Sequence, residues 1–385
     1  MTGSARESRH RPSAATLPLG LDSDVPIDPN PLDPHPEYPT PLDLVVRLTR
    51  SERESRVHAL IRLAQNKFDR AIDEHASGKE VVGFCSLVSG GNDSYTVAHI
   101  FRDVATHQVH ANTQTGIEAT RDFVRATASR WGVPLIEHTP KPGEGYFDLV
   151  RGTVMARSRA TGELVRAWPG GFPGPAAHGV MYQRLKERAL EKVPHHFGIS
   201  GSKHHRVVFI AGRRRSESKT RTTIPYADAR GTTLWVSPLA VWHKADLIAY
   251  RLMFPDIPVN PVAQKLGMSG ECGCLANATA GEPDRWRCAY PHDPFIQMVD
   301  QVEAEIADRP DIPKHRKKWG WGGTVDDPDT VEEMARTSLC STNCGPDPLF
   351  DSMDPLFEFG ETAVPSECGP QYVLPVADAD FGAMS

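Results

Sequence analysis

The sequence predicts an α/β fold, a parallel sheet with helices on both faces and an extended tail at each end. Three observations predict it. An apolar run rich in β-branched residues at 81–88, a second buried run at 207–211 and short strand candidates at 108–112 and 134–138 alternate with amphipathic stretches of helical period. Two of these runs stop at polar, glycine-bearing turns, and open α/β sheets bind ligands outside the carboxyl ends of their strands. Finally, 39% hydrophobic residues in a chain of 385 suffice for a substantial core.

Taken in order, residues 1–42 read as a Pro-rich, disordered tail. Nine prolines lie between Pro12 and Pro41 with few large apolar groups, too little burial to offset the entropy of ordering. From Ser51 to about His75, Val57, Leu60, Ile61, Ala64, Phe68 and Ile72 recur at three- and four-residue steps, an amphipathic helix. The stretch Val81–Ser94 then reads as buried strand, tight turn and helix N-terminus. Glycines in the turn allow close backbone approach, and the positive end of the helix dipole suits a phosphate. Gln108–Asn112 and Pro134–His138 are strands flanking a helix at Glu118–Trp131.

Trp168–Pro175, rich in Gly and Pro, reads as a loop that covers a site, and His178–Val193 as a helix. His195, His196, His204 and His205 lie in a polar connection without the neighbours a metal needs. Val207–Ala211 is a strand, and after Gly212 come five cations in nine residues: Arg213, Arg214, Arg215, Lys219 and Arg221. Such a run is either a solvated face or, at a strand's carboxyl end, a set of guanidinium forks for phosphate or sulfate. Trp235–Leu239 and Trp242–Phe254 read as strand end and helix, and Pro294–Ala307 as a further helix.

Five cysteines cluster towards the C-terminal part: Cys272, Cys274, Cys288, Cys340 and Cys344. Thiolates at this spacing hold zinc or an iron–sulfur cluster, form a redox pair, or remain unligated. Cys85 is a small core residue. From Thr324 the chain is acidic and Pro-rich, with Arg336 as its only cation, and 346–385 reads as an acidic tail. The net charge of -6 argues against a protein that coats nucleic acid. Lack of a membrane span or signal core, together with an odd seven cysteines, points to the cytoplasm.

Several motifs occur in an order that resembles the phosphoadenosine phosphosulfate (PAPS) reductase superfamily of ATP pyrophosphatases. Ser89-Gly90-Gly91-Asn92-Asp93-Ser94 is similar to their pyrophosphate-binding PP-loop, with Asn92 where many relatives carry lysine. Asn112–Glu118, with Gly116, resembles an Asn-Thr-Gly-Ile-Glu stretch. Arg213–Arg221 resembles the superfamily's arginine motif. Pro238-Leu239, Trp242, Asp246 and Tyr250, then Ile257–Pro261 and Gly267–Cys272, complete the order. The resemblance covers about Val81–Cys288.

It implies an adenine nucleotide alpha-hydrolase-like, Rossmann-type three-layer sandwich. Residues 43–265 would form the nucleotide-binding domain and 266–345 a cysteine-containing subdomain. It further implies ATP or PAPS, with magnesium, as ligand. Ser89, Gly90, Gly91, Asn92, Asp93, Ser94, Gly116, Arg213, Arg214 and Arg221 would bind it, and Asp93, Arg214 and Lys219 would be catalytic. The activity implied is adenylation with release of pyrophosphate in support of sulfur transfer. A sulfonucleotide reductase, an ATP sulfurylase small subunit and a non-catalytic nucleotide-binding module are the alternatives. Relatives that insert sulfur into DNA or tRNA carry [4Fe-4S] sites, so the resemblance favours a cluster over zinc. A sulfur-donor protein and a nucleic-acid acceptor are the partners it suggests.

Overall fold

The computed structural model describes residues 30–158, 160–217 and 221–324. Two helices, α1 (Leu42–Val46) and α2 (Arg50–His75), precede the sheet. Thr49 starts α2 with a reciprocal capping box to Glu52, and Val57, Leu60, Ala64 and Phe68 form its buried stripe. The strands and helices then alternate: β1 (Glu80–Leu87), α3 (Asn92–Ile100), β2 (His107–Ala111), α4 (Glu118–Trp131), β3 (Leu135–His138) and α5 (Tyr146–Arg151). A small antiparallel hairpin, β4 (Met155–Arg157) with β5 (Leu164–Arg166), stands apart from the main sheet.

The segment expected to be one helix from His178 to Val193 is broken. It runs as α6 (His178–Tyr182), a π-helical turn at Gln183–Glu187, α7 (Arg188–Leu190) and, after two residues, α8 (Val193–His196). Then follow β6 (His205–Ile210), β7 (Ala227–Arg230), β8 (Thr233–Val236), α9 (Lys244–Met253), α10 (Pro261–Leu266), α11 (Glu282–Ala289) and α12 (Pro294–Ile306).

The six-stranded sheet has the order β3-β2-β1-β6-β8-β7. Every pairing is parallel except that of β7 with β8, so the parallel sheet carries one antiparallel edge. Strand alternation sorts the residues to two faces. Val208, Ile210, Leu234 and Val236 face a core with α2, α3, α4 and α9. Cys85, Val109, Ile136, Val207 and Phe209 face the other side, against Ala189, Leu190, Val193 and Ile199. The sheet is therefore covered on both faces.

A second core lies beyond the sheet. Tyr146, Leu149, Trp168, Phe172 and Met181 pack there with Val262, Leu275, Trp286, Phe295, Val299 and Trp319. It joins α5, the 168–175 loop and α6 to everything from α10 to Trp319. Of the tail expected at 1–42, residues 30–41 lie along the surface of the fold. Buried Arg56 donates to the carbonyl of Pro31 at 2.6 Å and to Thr40 Oγ1 at 2.9 Å, and His243 Nε2 lies 2.5 Å from the Thr40 carbonyl. Residues 1–29 and 325–385 lie outside the described residues, and with them Cys340, Cys344 and the acidic tail.

Candidate functional site

The sheet order places a switch point between β1 and β6. From β1 the chain moves outward to β2 and β3, then returns to β6 on the other side. At such a point the loops leaving adjacent strands diverge and open a crevice at their carboxyl ends. Both glycine-led motifs lie here.

The turn after β1 is built to keep its backbone bare. Gly90 has a φ of +78°, and a Cβ there would lie 2.7 Å from Thr120 Cγ2 and 2.9 Å from Asn260 Nδ2. Asn260, 2% exposed, donates to the Gly90 carbonyl at 3.0 Å and to the Ser269 carbonyl at 3.1 Å. Ser94 closes the turn from inside. Its hydroxyl donates to the Gly91 carbonyl at 2.8 Å and accepts from Ser89 N–H at 3.3 Å. Gly91 is the N-cap of α3 and offers no side-chain cap, so the first amides of α3 have neither an i−4 carbonyl nor a capping oxygen. Asn92 is exposed at the mouth.

The β6 exit locks against this turn. A Cβ on Gly212 would lie 2.6 Å from the Asp93 carbonyl oxygen and 3.0 Å from Ser94 N, so only glycine lets the two backbones touch. Arg214, 7% exposed, donates from Nε to Asp93 Oδ2 at 2.9 Å. Burial works against the Arg214 charge, but Asp93 and Glu217 outweigh it and hold the guanidinium above its ordinary pKa. Glu217, raised by burial, sits in the same group and pairs with Arg221. Arg213 bonds Ser237 Oγ at 3.1 Å and stacks on Trp235 at 4.9 Å, and its Nη2 is buried with no hydrogen-bond partner. Burial lowers its pKa.

The segment after β8 stitches these arginines down. Arg215 N donates to the Ala240 carbonyl at 2.8 Å and Ser216 Oγ to the Trp242 carbonyl at 2.7 Å, while Leu239 and Trp242 are fully buried beneath.

The cysteine loop approaches from the second core. Gly270 accepts from Ile117 N at 2.8 Å, and Gly273 N donates to the Thr115 carbonyl at 3.1 Å. No side chain fits at Gly273, where a Cβ would lie 2.1 Å from that same carbonyl. Trp319 Nε1 holds the Gly273 carbonyl at 2.8 Å. Two residues beside this junction, Gln114 (φ 60°) and Leu275 (φ 43°), are left-handed without being glycine, a strained conformation that tight functional loops concentrate.

Within the loop Cys272 and Cys274 bring their sulfurs to 3.7 Å. The Cys272 thiol is held down to about 5. A hydrogen bond from Cys274 is the main cause, burial opposes it, and the charges of Lys186 and His178 add to it. Those two residues project from α6 and the π-helical turn, so the break in that helix has a place in the site. Burial lowers the pKa of His178 itself.

The sequence-derived residues thus fall into place unevenly. Ser89, Gly90, Gly91, Asn92, Asp93, Ser94, Arg213, Arg214 and Arg221 converge on the crevice. Gly116 is a packing glycine, its missing Cβ making room for Glu271 Oε2 at 2.8 Å. Among the cysteines of the described residues, Cys272 and Cys274 bring their sulfurs together. Cys288, on α11, is disulfide-bonded. Lys219, Cys340 and Cys344 lie outside the described residues. The described residues hold no group of three or more His, Cys, Asp or Glu side chains suited to a metal. Sequence reasoning missed Gly212, Asn260, His110 and Glu271. Asn260 and Glu271 sit inside the ordered motifs, and His110 shares its strand with His107 and Gln108, so nothing in the sequence singles it out.

Residues 177–276 match the family model described as the phosphoadenosine phosphosulfate reductase domain. No curated protein matches the chain. Among solved structures the chain is similar to phosphoadenylyl-sulfate (PAPS) reductase from Candida auris, with 14% identity over 56% of this chain and 92% of that one and a TM-score of 0.35. It is similar also to FMN adenylyltransferase from Candida glabrata in complex with FMN and an ATP analog, at 10% identity, 60% and 68% coverage and a TM-score of 0.37. A third is the U34-tRNA thiolase NcsA from Methanococcus maripaludis with its [4Fe-4S] cluster, at 11% identity, 74% and 90% coverage and a TM-score of 0.32. No helix among the described residues is long and apolar enough to cross a membrane. The matched stretch runs from α6 through the arginine segment to the cysteine loop, and over those residues this chain is similar to the phosphoadenosine phosphosulfate reductase domain.

Proposed function

We propose that the crevice between β1 and β6 binds an adenine nucleotide by its phosphates and that, with ATP, it releases pyrophosphate and adenylates an acceptor that then receives sulfur. One observation carries this reading: the bare amides of Gly90–Asp93 and the arginines after Gly212 meet at the switch point of the sheet. The amides and the Ser89 hydroxyl face the pyrophosphate. Arg213, with a buried Nη2 lacking a partner, together with Arg221 and Lys219, offsets charge that develops as pyrophosphate departs from the α-phosphate. Arg214 acts through Asp93, whose carboxylate it orients, and Asp93 would be the residue to hold magnesium, which would supply charge neutralisation at the phosphates. The chemistry is mostly placement and electrostatics.

The cysteine loop fits a thiophilic role. Two sulfurs 3.7 Å apart, one with thiolate character, are a donor pair for iron or zinc. Cys272 and Cys274 would hold a [4Fe-4S] cluster or zinc, with Cys340, Cys344 and, once reduced, Cys288 as further ligands. Such a centre supplies a soft Lewis-acidic seat for sulfur.

A second reading, sulfonucleotide reduction, is favoured by the same low-pKa thiol, since attack on a sulfonucleotide requires a thiolate. Labelled ATP and labelled PAPS separate the possibilities. Pyrophosphate from ATP supports the first reading and sulfite from PAPS the second. Adenylyl sulfate made from ATP and sulfate would mean a sulfurylase, and no turnover of either nucleotide would leave a binding module.

A further inference from the structure

The β4–β5 hairpin stands apart from the six-stranded sheet, and among the described residues its two strands pair with each other alone. A two-stranded sheet by itself is marginal in water and gains from a cover on one face. Antiparallel register puts Met155 opposite Arg166 and Arg157 opposite Leu164, and directly opposed residues share a face. That face is a checkerboard of two apolar and two cationic side chains. Met155 is 47% exposed, Leu164 62% and the Arg166 side chain 51%, with Arg157 exposed between them. With Val165 on the other face, the hairpin carries three of the eight large apolar side chains exposed among the described residues, a concentration that marks a contact surface. Arg166 reaches Asp311 at 3.1 Å, whereas Arg157 bonds the Gly162 carbonyl at 3.2 Å and meets no carboxylate among the described residues.

The charge of the chain is divided in a way that suits this face. Of its 49 acids and 43 Lys and Arg, thirteen acids and Arg336 alone follow Thr324, so residues 325–385 carry -12 and everything before them +6. Within that acidic segment Asp-Pro-Leu-Phe occurs twice, at 347–350 and 354–357. Between 347 and 361 the two Leu-Phe pairs, Met353 and Phe359 alternate with five acids and no cation. Carboxylates there match the guanidinium groups, and Leu and Phe match the apolar half of the checkerboard.

The described chain also ends beside the hairpin. Trp321 Nε1 donates to the Phe172 carbonyl at 3.0 Å, and a Cβ on Gly174 would lie 2.1 Å from the Trp321 ring. Phe172 is six residues past Arg166 and so within about 22 Å of it. The 22 residues between Thr324 and Asp347 reach up to about 75 Å when extended, which spans that distance with slack. A four-residue face holds a ligand only weakly. A tether of this length supplies its ligand at an effective concentration on the order of 1 mM, which a separate protein of the same chemistry does not match.

We propose that the exposed face of the β4–β5 hairpin is the docking site of this chain's own acidic, Leu-Phe-bearing segment, residues 347–361. None of the residues involved belongs to the crevice or to the cysteine loop.

Hydrogen–deuterium exchange on the full-length protein tests it, with a synthetic peptide of residues 345–361 as the undocked reference. In the wild type the 347–361 segment should exchange at least about threefold more slowly than the free peptide, and about 0.5 M NaCl should remove most of that protection. Leu164→Asp combined with Arg157→Glu, both at exposed positions, should bring protection of the segment below about 1.5-fold. Phe350→Ser combined with Phe357→Ser, which leaves the body of the fold untouched, should in return speed exchange of the hairpin peptide 154–167 at least about twofold. A segment that exchanges at the free-peptide rate in the wild type would overturn the proposal. So would protection kept in full by the folded hairpin variant, or a hairpin unaffected by the loss of both phenylalanines. Protection that rises with protein concentration would assign the face to a second copy of the chain and overturn docking within one chain.

Discussion

Asn92 stands exposed at the mouth of the turn, where a lysine would place an ammonium beside the phosphates. At an effective dielectric between that of the protein surface and water, an added cation is worth about 1 kcal/mol. Asn92→Lys should therefore tighten Mg-ATP binding roughly fivefold by calorimetry, and an unchanged Kd would move the phosphates away from this turn. Cys272 makes a second prediction at the same scale. Iodoacetamide labelling mapped to Cys272 in the reduced protein should titrate near pH 5, and Cys274→Ala, which leaves no donor, should move that midpoint upward, because the Cys274 hydrogen bond is the main cause of the low value. A midpoint unmoved by the substitution would reassign the cause to Lys186 and His178.

Much of this was legible residue by residue. The Gly-Gly turn, the arginine run and the paired cysteines announce themselves, since their chemistry is local in the chain. Gly212 looked like the start of the arginine run, and its role as the only residue thin enough to pass Asp93 depends on which strands are neighbours. Glu271 was hidden for the same reason, its partners Thr113 and His110 lying more than a hundred residues earlier.

Among elements, β6 and α3 are the critical pair. Gly212→Ala would force a methyl onto main-chain atoms, and overpacking of that kind costs about 1–3 kcal/mol. The expected result is a lower Tm together with weaker nucleotide binding, and a variant with wild-type values for both would refute the contact. The long helix α2 and helix α9 are joined by Arg56 and Asp246, a bidentate pair with side chains only 1% and 2% exposed, at 2.7 and 3.2 Å. Arg56→Ala strands a buried carboxylate and releases residues 31–40, so it should cost about 3–5 kcal/mol in urea unfolding. A loss under about 1 kcal/mol would mean that this anchor is dispensable.

The sequence pattern gave α2, α4 and α12 to within a residue or two, with mostly apolar buried stripes on α2 and α12 and a mixed one on α4, where Thr120 and Thr127 join Val124 and Ala128. It did not show the π-helical break after Tyr182, which tertiary packing imposes on a sequence of ordinary helical pattern. Nor did it show the β4–β5 hairpin, whose Met155, Leu164 and Val165 are exposed and so lack the inside–outside alternation that marks a strand.

At the scale of the whole molecule, burial holds the imidazoles of His107, His138, His178, His243 and His315 below their ordinary pKa. Below about pH 6.5 the unfolded chain takes up protons that the folded one refuses, so this stability is present above that pH and is lost as pH falls through the folded values. Glu217, raised by burial, works in the opposite sense, one carboxyl against five imidazoles. The Tm at fixed ionic strength should drop by several degrees between pH 7.5 and 5.5, and a Tm equal or higher at 5.5 would contradict the balance.

The second core has a consequence for how the chain is made. Tyr146, Leu149, Trp168 and Phe172 share their core with Trp286, Phe295 and Trp319, more than a hundred residues further along the chain. A ribosome that has just released the phosphate turn and the arginine segment has therefore exposed a greasy half-core whose other half is not yet translated. At about 5–20 residues per second that surface waits for several seconds, and it is where a nascent-chain chaperone would be needed most.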